Sequence, residues 1–242
     1  MATLLLAALA GCAADSTGDG PRQTLTVFAA SSLKAPFEEL GARFEQDHPG
    51  TTITFSFSGS ADLIAQLREG APADVAATAD QVSMDTLTGE KLVTAPTSFA
   101  SNHLVLAVPP DNPAAITTFG DLARAGIRLV ICAPEVPCGR VAAEVAQRER
   151  VTLRPVSLEA SVVDVVGKVT SGEADAGLIY ASDAVAAGDQ LTTIEIPSAA
   201  QVPNIYLAAP TDSTNNLATA FVALVAGDAG RAVLTANGFG PP

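Results

Sequence analysis

Short apolar segments alternate with amphipathic segments along most of the chain. The run TLTVFAA (24–30) is rich in apolar and β-branched residues, which is typical of a buried strand, whereas Phe37, Leu40 and Phe44 recur at the spacing of one helix face. The same order then repeats. The predicted strands are 24–30, 51–57, 73–79, 102–110, 127–133, 153–158, 174–182, 191–196 and 204–210, and the predicted helices are 36–48, 61–70, 118–126, 139–150 and 161–173, with one or two more between 215 and 239 that break near Gly227.

This alternation predicts the fold class. Strand–helix repeats with short apolar strands favour an α/β architecture whose sheets are mostly parallel. In such sheets, ligands usually bind beyond the carboxyl ends of the strands, where the following helices begin. The strand-to-helix junctions are therefore the places where a binding site is expected.

The first twelve residues predict a signal peptide and not a part of the fold. The run LLLAALA is apolar but too short to span a bilayer, and the tetrad Leu9-Ala10-Gly11-Cys12 resembles a bacterial lipobox, in which Cys12 would carry the lipid. Residues 13–23 then predict a flexible tether. No Lys or Arg precedes the apolar run, which departs from the usual signal pattern, and the alternative is a chance apolar N-terminus with a stray cysteine.

The other two cysteines, Cys132 and Cys138, lie six residues apart in VICAPEVPCGR. Export would place them in an oxidising compartment, where a disulfide between them is favoured. The alternatives are two unpaired thiols or a metal pair. Because His48 and His103 are the only histidines and both lie far away in sequence, a zinc site is not expected.

Composition and charge narrow the possible partners. The chain has 242 residues, of which 48% are hydrophobic and 16% charged, so a folded globular protein is expected. Its net charge of −13, without a basic stripe, argues against nucleic acid as a partner. If the ligand is an anion, the local geometry of its site must overcome an unfavourable overall field.

Four strand-to-helix junctions share small, uncharged residues. Each offers backbone N–H groups with no intrahelical partner and a partial positive charge from the peptide dipoles, so together they predict a small-anion site. Taken singly, each serine is also an ordinary N-cap residue. The adjacent cations Lys34 and Arg140 are expected to be solvated. The junctions are Ser31–Ser32, Ser58–Ser60, Pro137–Gly139 and Ser161–Val162.

Enzymatic activity is not predicted. The chain contains no Gly-x-Ser-x-Gly elbow, no P-loop and no Gly-x-Gly-x-x-Gly motif. The two histidines lie in a loop and at a strand end, so a Ser-His-Asp triad is not expected. Paired carboxylates such as Glu38 and Glu39 are expected on a solvated helix face and not in an active site.

Several segments, taken together, resemble the periplasmic molybdate-binding proteins, the solute receptors of molybdate ABC importers. These segments are VFAASSLKAPFEEL, GSADLIAQLREGAPADVAATAD, VPCGRVAAE, EADAGLIYASDA and the terminal GF. The resemblance covers nearly the whole chain, from about Leu25 to Phe239. The resemblance implies a type II periplasmic binding protein fold, with two α/β lobes and the ligand in the cleft between them. Lobe I is then expected at 24–104 plus 207–242, and lobe II at 105–206.

The resemblance also implies a set of ligand-binding residues. It places side-chain hydroxyl donors at Ser32, Ser60 and Tyr180, and backbone N–H donors at Cys138 and Val162. Cys138 stands where relatives often carry alanine, but a backbone N–H does not depend on its own side chain. Two further residues, Ser31 and Gly59, are possible additions to this set.

The function implied is capture of molybdate, with tungstate as a second ligand, by a monomeric lipid-anchored extracytoplasmic receptor. It would deliver the oxyanion to the membrane permease and ATPase subunits of an ABC importer, without a cofactor, a bare metal cation or a catalytic step. One alternative is a receptor for another tetrahedral oxyanion such as sulfate. The other is a surface lipoprotein on the same fold with no role in transport.

Overall fold

A computed structural model describes residues 23–242 of the chain. The predicted signal peptide, its Cys12 and the tether up to residue 22 lie outside the described residues. Gln23, which was predicted to end the tether, is the first residue of a strand.

Five strands form the first sheet, in the order β2-β1-β3-β10-β4. Strand β1 pairs in parallel with β2 and β3, whereas β10 runs antiparallel to β3 and β4. The strands are β1 Gln23–Ala30, β2 Thr51–Ser58, β3 Val75–Thr78, β4 Thr97–Asn102 and β10 Asn204–Pro210.

The second sheet repeats this plan, in the order β7-β6-β8-β5-β9. Strand β6 pairs in parallel with β7 and β8, and β5 runs antiparallel to β8 and β9. The strands are β5 Leu104–Val108, β6 Leu129–Cys132, β7 Ser157–Glu159, β8 Ala176–Tyr180 and β9 Thr192–Ile194.

Helices cover both sheets. The α-helices are α1 Lys34–Asp47, α2 Ser60–Arg68, α3 Gln81–Gly89, α4 Pro137–Glu149, α5 Val162–Thr170, α6 Ala181–Ala187, α7 Asn216–Ala226 and α8 Asp228–Ala236, and the 3-10 helices are Ser31–Leu33, Phe119–Ala123, Gly188–Gln190 and Ala199–Gln201. Among residues 23–242, no single helix is long and apolar enough to cross a membrane; only α7 and α8, bent by 57° at their junction, meet the length and composition required when taken together.

The two-residue period of β1 explains how the first sheet is covered on both faces. Leu25 and Val27 point to one face, where they pack with residues of α1, α7 and α8, and Phe28 points to the other, where it packs with α2 and α3. A separate hydrophobic core surrounds the second sheet. We refer to the part built on the first sheet as the first lobe and to the part built on the second as the second lobe.

The chain changes lobes at two places. His103 separates β4 of the first sheet from β5 of the second, and the chain returns at Asn204, where β10 begins. The second predicted boundary, between 206 and 207, falls inside β10, which lies wholly in the first sheet.

The predicted α/β fold class is confirmed, but the sheets are mixed and not mostly parallel. Each has two parallel and two antiparallel pairings. Parallel pairing needs a crossover connection, usually a helix, and the strand–helix units supply this for β1–β3 and for β6–β8. Strand β5 instead follows β4 after a single residue, and β10 arrives from the other lobe.

Four local predictions need correction. The strand predicted at 102–110 is two strands, because β4 ends at Asn102, and β4 itself was not predicted. The strand predicted at 174–182 ends at Tyr180, where α6 begins. The helix predicted at 118–126 is the 3-10 helix Phe119–Ala123. The strand predicted at 153–158 is the shorter β7.

Candidate ligand-binding site

One small cavity between the lobes brings together all seven residues predicted to bind or to adjoin the ligand. Its volume of about 10 Å³ is close to the roughly 10–15 Å³ that a cavity needs to hold one water molecule. The cavity is lined by Ala30, Ser31, Ser32, Ser58, Gly59, Ser60, Ala79, Val136, Pro137, Cys138, Ser161, Val162 and Tyr180. Their roles in binding remain predictions.

Ser32 belongs to the 3-10 helix between β1 and α1. Neither it nor Ser31 caps a helix with its side chain, since the residues at the cap positions are Ala30 and Leu33. The Ser32 Oγ instead lies 3.0 Å from the hydroxyl of Tyr206, a buried residue of β10. This contact holds the Ser32 side chain at the cavity.

Ser60 is the first residue of α2, and its side chain is almost fully buried. Its Oγ accepts the N–H of Ala79 at 3.1 Å, which leaves the hydroxyl hydrogen free to donate. The N-cap position is Gly59 and not Ser60. The N-cap interpretation is therefore wrong for this serine.

Cys138 is the second residue of α4. It forms a disulfide with Cys132 at the end of β6, with the sulfur atoms 2.05 Å apart. The Cys138 N–H lies in the first helical turn, where no intrahelical carbonyl is available to it. The next residue, Gly139, allows the turn to fold tightly, because a Cβ there would lie 1.9 Å from the Ala133 carbonyl oxygen.

Ser161 is an N-cap, as the simpler interpretation of these serines proposed. Its Oγ accepts the Asp164 N–H at 3.3 Å and donates to Asp164 Oδ2 at 2.7 Å. This cap leaves the N–H of Val162, the first residue of α5, without an intrahelical partner beside the cavity.

Tyr180 ends β8, and its hydroxyl group is buried without a hydrogen-bond partner among the described residues. Its ring packs edge-on against that of Tyr206, with centroids 6.0 Å apart. Burial raises the pKa of Tyr180 well above its usual value, so the hydroxyl keeps its proton and can act as a donor. A buried, unpaired donor costs free energy unless a ligand satisfies it.

Charged residues adjoin the cavity without lining it. Arg140 is not solvated as predicted, because it pairs across the cleft with Asp80, the N-cap of α3. Asp183 is buried at the start of α6, and this burial raises its pKa to about 7. Among residues 23–242, no cluster of His, Cys, Asp and Glu could hold a metal ion.

Sequence reasoning missed three residues that shape this site. Tyr206, which positions Ser32, was considered only as part of a crossing strand. Ala79 and Asp80 end one of the segments that carry the family resemblance, but no sequence pattern assigned a role to either residue. Their partners lie far away in the chain, so only the folded structure brings them together.

A two-lobed α/β fold with a cleft between the lobes is that of the type II periplasmic binding proteins. The solved periplasmic molybdate-binding protein of Azotobacter vinelandii has this fold, with a TM-score of 0.76 at 23% identity over 90% of this chain and 99% of that one. The chain belongs to the bacterial extracellular solute-binding protein family, whose sequence model matches residues 25–240.

Sequence similarity to individual proteins confirms the resemblance drawn from the motifs. The chain is 39% identical over 251 residues to the molybdate-binding protein ModA of Mycobacterium tuberculosis (strain ATCC 25618 / H37Rv), covering 100% of this chain and 96% of that protein. The fold is also shared with the sulfate-binding protein SubI of M. tuberculosis H37Rv, with a TM-score of 0.76 at 18% identity over 90% of this chain and 87% of that one. The fold alone therefore does not select between these oxyanions.

Proposed function

We propose that this protein captures molybdate outside the cytoplasm and delivers it to the permease and ATPase subunits of an ABC importer. The observation that carries the proposal is the composition of the cavity. It is lined by neutral side chains and helix N-termini from both lobes, and it includes the unpaired hydroxyl of Tyr180. The 39% identity to a molybdate-binding protein over the full chain supports the choice of ligand.

The proposed donors match the chemistry of a tetrahedral dianion. Such an ion offers only acceptor oxygens, and the proposed set consists of donors: the hydroxyl groups of Ser32, Ser60 and Tyr180 and the N–H groups of Cys138 and Val162. A hydrogen bond to a charged group contributes about 1.5–3 kcal/mol. About half a dozen of them would give sub-micromolar binding after the costs of desolvation and closure.

Neutral donors suit an anion site in this particular chain. The net charge of −13 repels an oxyanion at long range, so binding has to come from short-range hydrogen bonds and helix dipoles. Tungstate has the same charge and shape as molybdate and is proposed as a second ligand. Sulfate has the same charge and shape but is smaller, so discrimination against it would have to rest on the size of the ligand-bound cavity.

The remaining features of the proposal concern the whole receptor. Cys12 is proposed as the lipid anchor, residues 13–23 as the tether, and the protein as a monomer that acts at the outer face of the cytoplasmic membrane or in the periplasm. The first lobe would close against the second about the two places where the chain passes between them, at His103 and just before Asn204. No catalytic step is proposed.

Calorimetric titration with molybdate, tungstate, sulfate and phosphate tests this function. We expect tight binding of molybdate and tungstate and little heat from sulfate or phosphate. Tight binding of sulfate with none of molybdate would make the protein a receptor for a smaller oxyanion. Absence of heat from all four ions would favour the surface lipoprotein without a transport role.

A further inference from the structure

An ion pair bridges the two lobes beside the cavity. Arg140 Nη2 lies 2.6 Å from Asp80 Oδ2, and Arg140 Nε donates to the same oxygen at 2.8 Å. Arg140 Nη2 also donates to Ser83 Oγ at 3.0 Å. Arg140 belongs to α4 of the second lobe, whereas Asp80 and Ser83 belong to the first.

The pair lies next to the proposed ligand donors. Asp80 directly follows Ala79, and Arg140 follows Cys138 by two residues; both Ala79 and Cys138 line the cavity. The side chains of Asp80 and Arg140 are 12% and 29% exposed, so solvent screens this pair less than one on the open surface. Within the described part of the chain, the other ion pairs made by arginine or lysine each join residues of a single lobe.

Each partner keeps another contact that does not depend on closure. Asp80 Oδ1 accepts the Ser83 N–H at 2.9 Å within the first lobe, and Arg140 donates to the Glu135 carbonyl within the second. Separation of the lobes would therefore break the bonds of Arg140 to Asp80 and to the Ser83 side chain and leave these local contacts in place. This is the arrangement required of a contact that forms only in the closed state.

We propose that Arg140 and Asp80 are positioning residues that latch the lobes together over a bound oxyanion and slow its release. The inference rests on the proposed function. Neither side chain touches the ligand in this scheme, since the pair acts by stabilising the closed arrangement in which the donors of both lobes converge.

The variant Asp80→Asn separates a latch from a simple effect of charge. Removing a negative charge near an anion site should by itself tighten anion binding, whereas breaking a latch should weaken it. Asparagine is also a good N-cap residue, so α3 keeps its cap. Asp85→Asn is the matched control, because it removes the same charge from the same helix at an exposed residue that bonds only to Gln81 of that helix.

The experiment is a titration of each purified protein with molybdate, together with stopped-flow measurement of molybdate release. The chain has two tyrosines and no tryptophan, so the fluorescence of Tyr180 and Tyr206 reports on the cleft itself. We expect Asp80→Asn to bind about tenfold more weakly, mainly through faster release, and Asp85→Asn to stay within about twofold of the unaltered protein.

A second variant, Arg140→Gln, shows whether weaker binding by Asp80→Asn comes from loss of the ion pair or from a folding defect. Arg140→Gln should also weaken binding, and the double variant Asp80→Asn/Arg140→Gln should bind no more weakly than Arg140→Gln alone, because the interaction has already been lost. Equal or tighter binding by folded Asp80→Asn, or additive losses in the double variant, would overturn the latch. If the unaltered protein binds no molybdate, the proposed function fails, and the latch fails with it.

Discussion

At the scale of single residues, Ser32 and Ser161 occupy similar junctions but make different contacts. Ser32 faces the cavity and bonds Tyr206, whereas Ser161 caps α5. We expect Ser32→Ala to weaken molybdate binding roughly 10- to 100-fold, as loss of one hydrogen bond to a charged ligand predicts. It should also lower the Tm of the ligand-free protein, because the buried hydroxyl of Tyr206 loses its partner. Titration calorimetry and thermal unfolding measure the two effects.

Ser161→Ala provides the comparison. Loss of the α5 cap should cost about 1 kcal/mol of unfolding free energy and lower the Tm, with a smaller effect on affinity than Ser32→Ala has. If both variants lowered the Tm alike and left the affinity unchanged, Ser32 would be a structural residue and the proposed donor set would be wrong at that position.

Asp183 gives a prediction about pH. Burial raises its pKa from 3.8 to about 7, while its Oδ2 accepts the Tyr180 N–H at 3.0 Å. The folded protein thus holds this proton to a higher pH than the unfolded chain does. The resulting contribution to stability is complete below about pH 4 and is lost as the pH rises to about 7. We expect Asp183→Asn, which keeps an acceptor for Tyr180, to have the higher Tm at pH 8.

Thermal unfolding of both proteins at pH 5 and pH 8 checks this. The unaltered protein should lose more Tm between the two values than Asp183→Asn does. This range lies well above the one in which Asp121 titrates, because two backbone N–H groups hold the pKa of that carboxyl at about 2. Equal losses of Tm in the two proteins would show that Asp183 does not set the pH dependence.

The limits of sequence reasoning at this scale are visible in Arg140 and Tyr206. Small junction residues and a family resemblance were enough to select seven positions that line one cavity. They could not show that Arg140 reaches Asp80, 60 residues away, or that Ser32 reaches Tyr206, 174 residues away. Such contacts depend on how the two lobes meet, which local patterns do not describe.

At the scale of elements, the sequence predicted those with a clear hydrophobic period and missed those without one. Strand β1 and helix α1 were predicted from uninterrupted patterns. Strand β4 has the sequence TSFASN, whose small polar residues give no hydrophobic alternation, and it is stabilised by pairing with β10. Helix α6 has only seven residues and follows the apolar strand β8 without a break. The hydrophobic pattern therefore predicted a strand that continued to residue 182, two residues past its end.

The disulfide connects strand β6 to helix α4 and leads to a prediction about that junction. Replacing both cysteines, Cys132→Ala/Cys138→Ala, should lower the unfolding free energy by about 2 kcal/mol in the chain-entropy description of a short loop. It should also weaken molybdate binding by roughly three- to tenfold, because the Cys138 N–H remains but its turn is less well fixed. Urea unfolding and calorimetry measure both changes.

Reductant supplies the control for the disulfide prediction. It should shift the stability and affinity of the unaltered protein toward those of the double variant and leave the double variant unchanged. If the double variant bound molybdate as tightly as the oxidised protein, the disulfide would stabilise the lobe without preparing the ligand-binding turn.

At the scale of the whole molecule, the close approach of the two lobes is clearest at Gly59. Its φ and ψ of −63° and 144° suit alanine, but a Cβ there would lie 2.1 Å from the carbonyl oxygen of Ala160 in the other lobe. We therefore expect Gly59→Ala to fold with an almost unchanged Tm without ligand, to bind molybdate at least about 100-fold more weakly, and to show no fall in radius of gyration when molybdate is added.

Gly167→Ala is the control, because a Cβ there meets no atom within 4 Å, and it should close and bind normally. Calorimetry and small-angle X-ray scattering measure these effects. Normal affinity in Gly59→Ala would show that the donors of the two lobes do not have to converge as closely as they do here, and the proposed enclosure of the oxyanion would have to be abandoned.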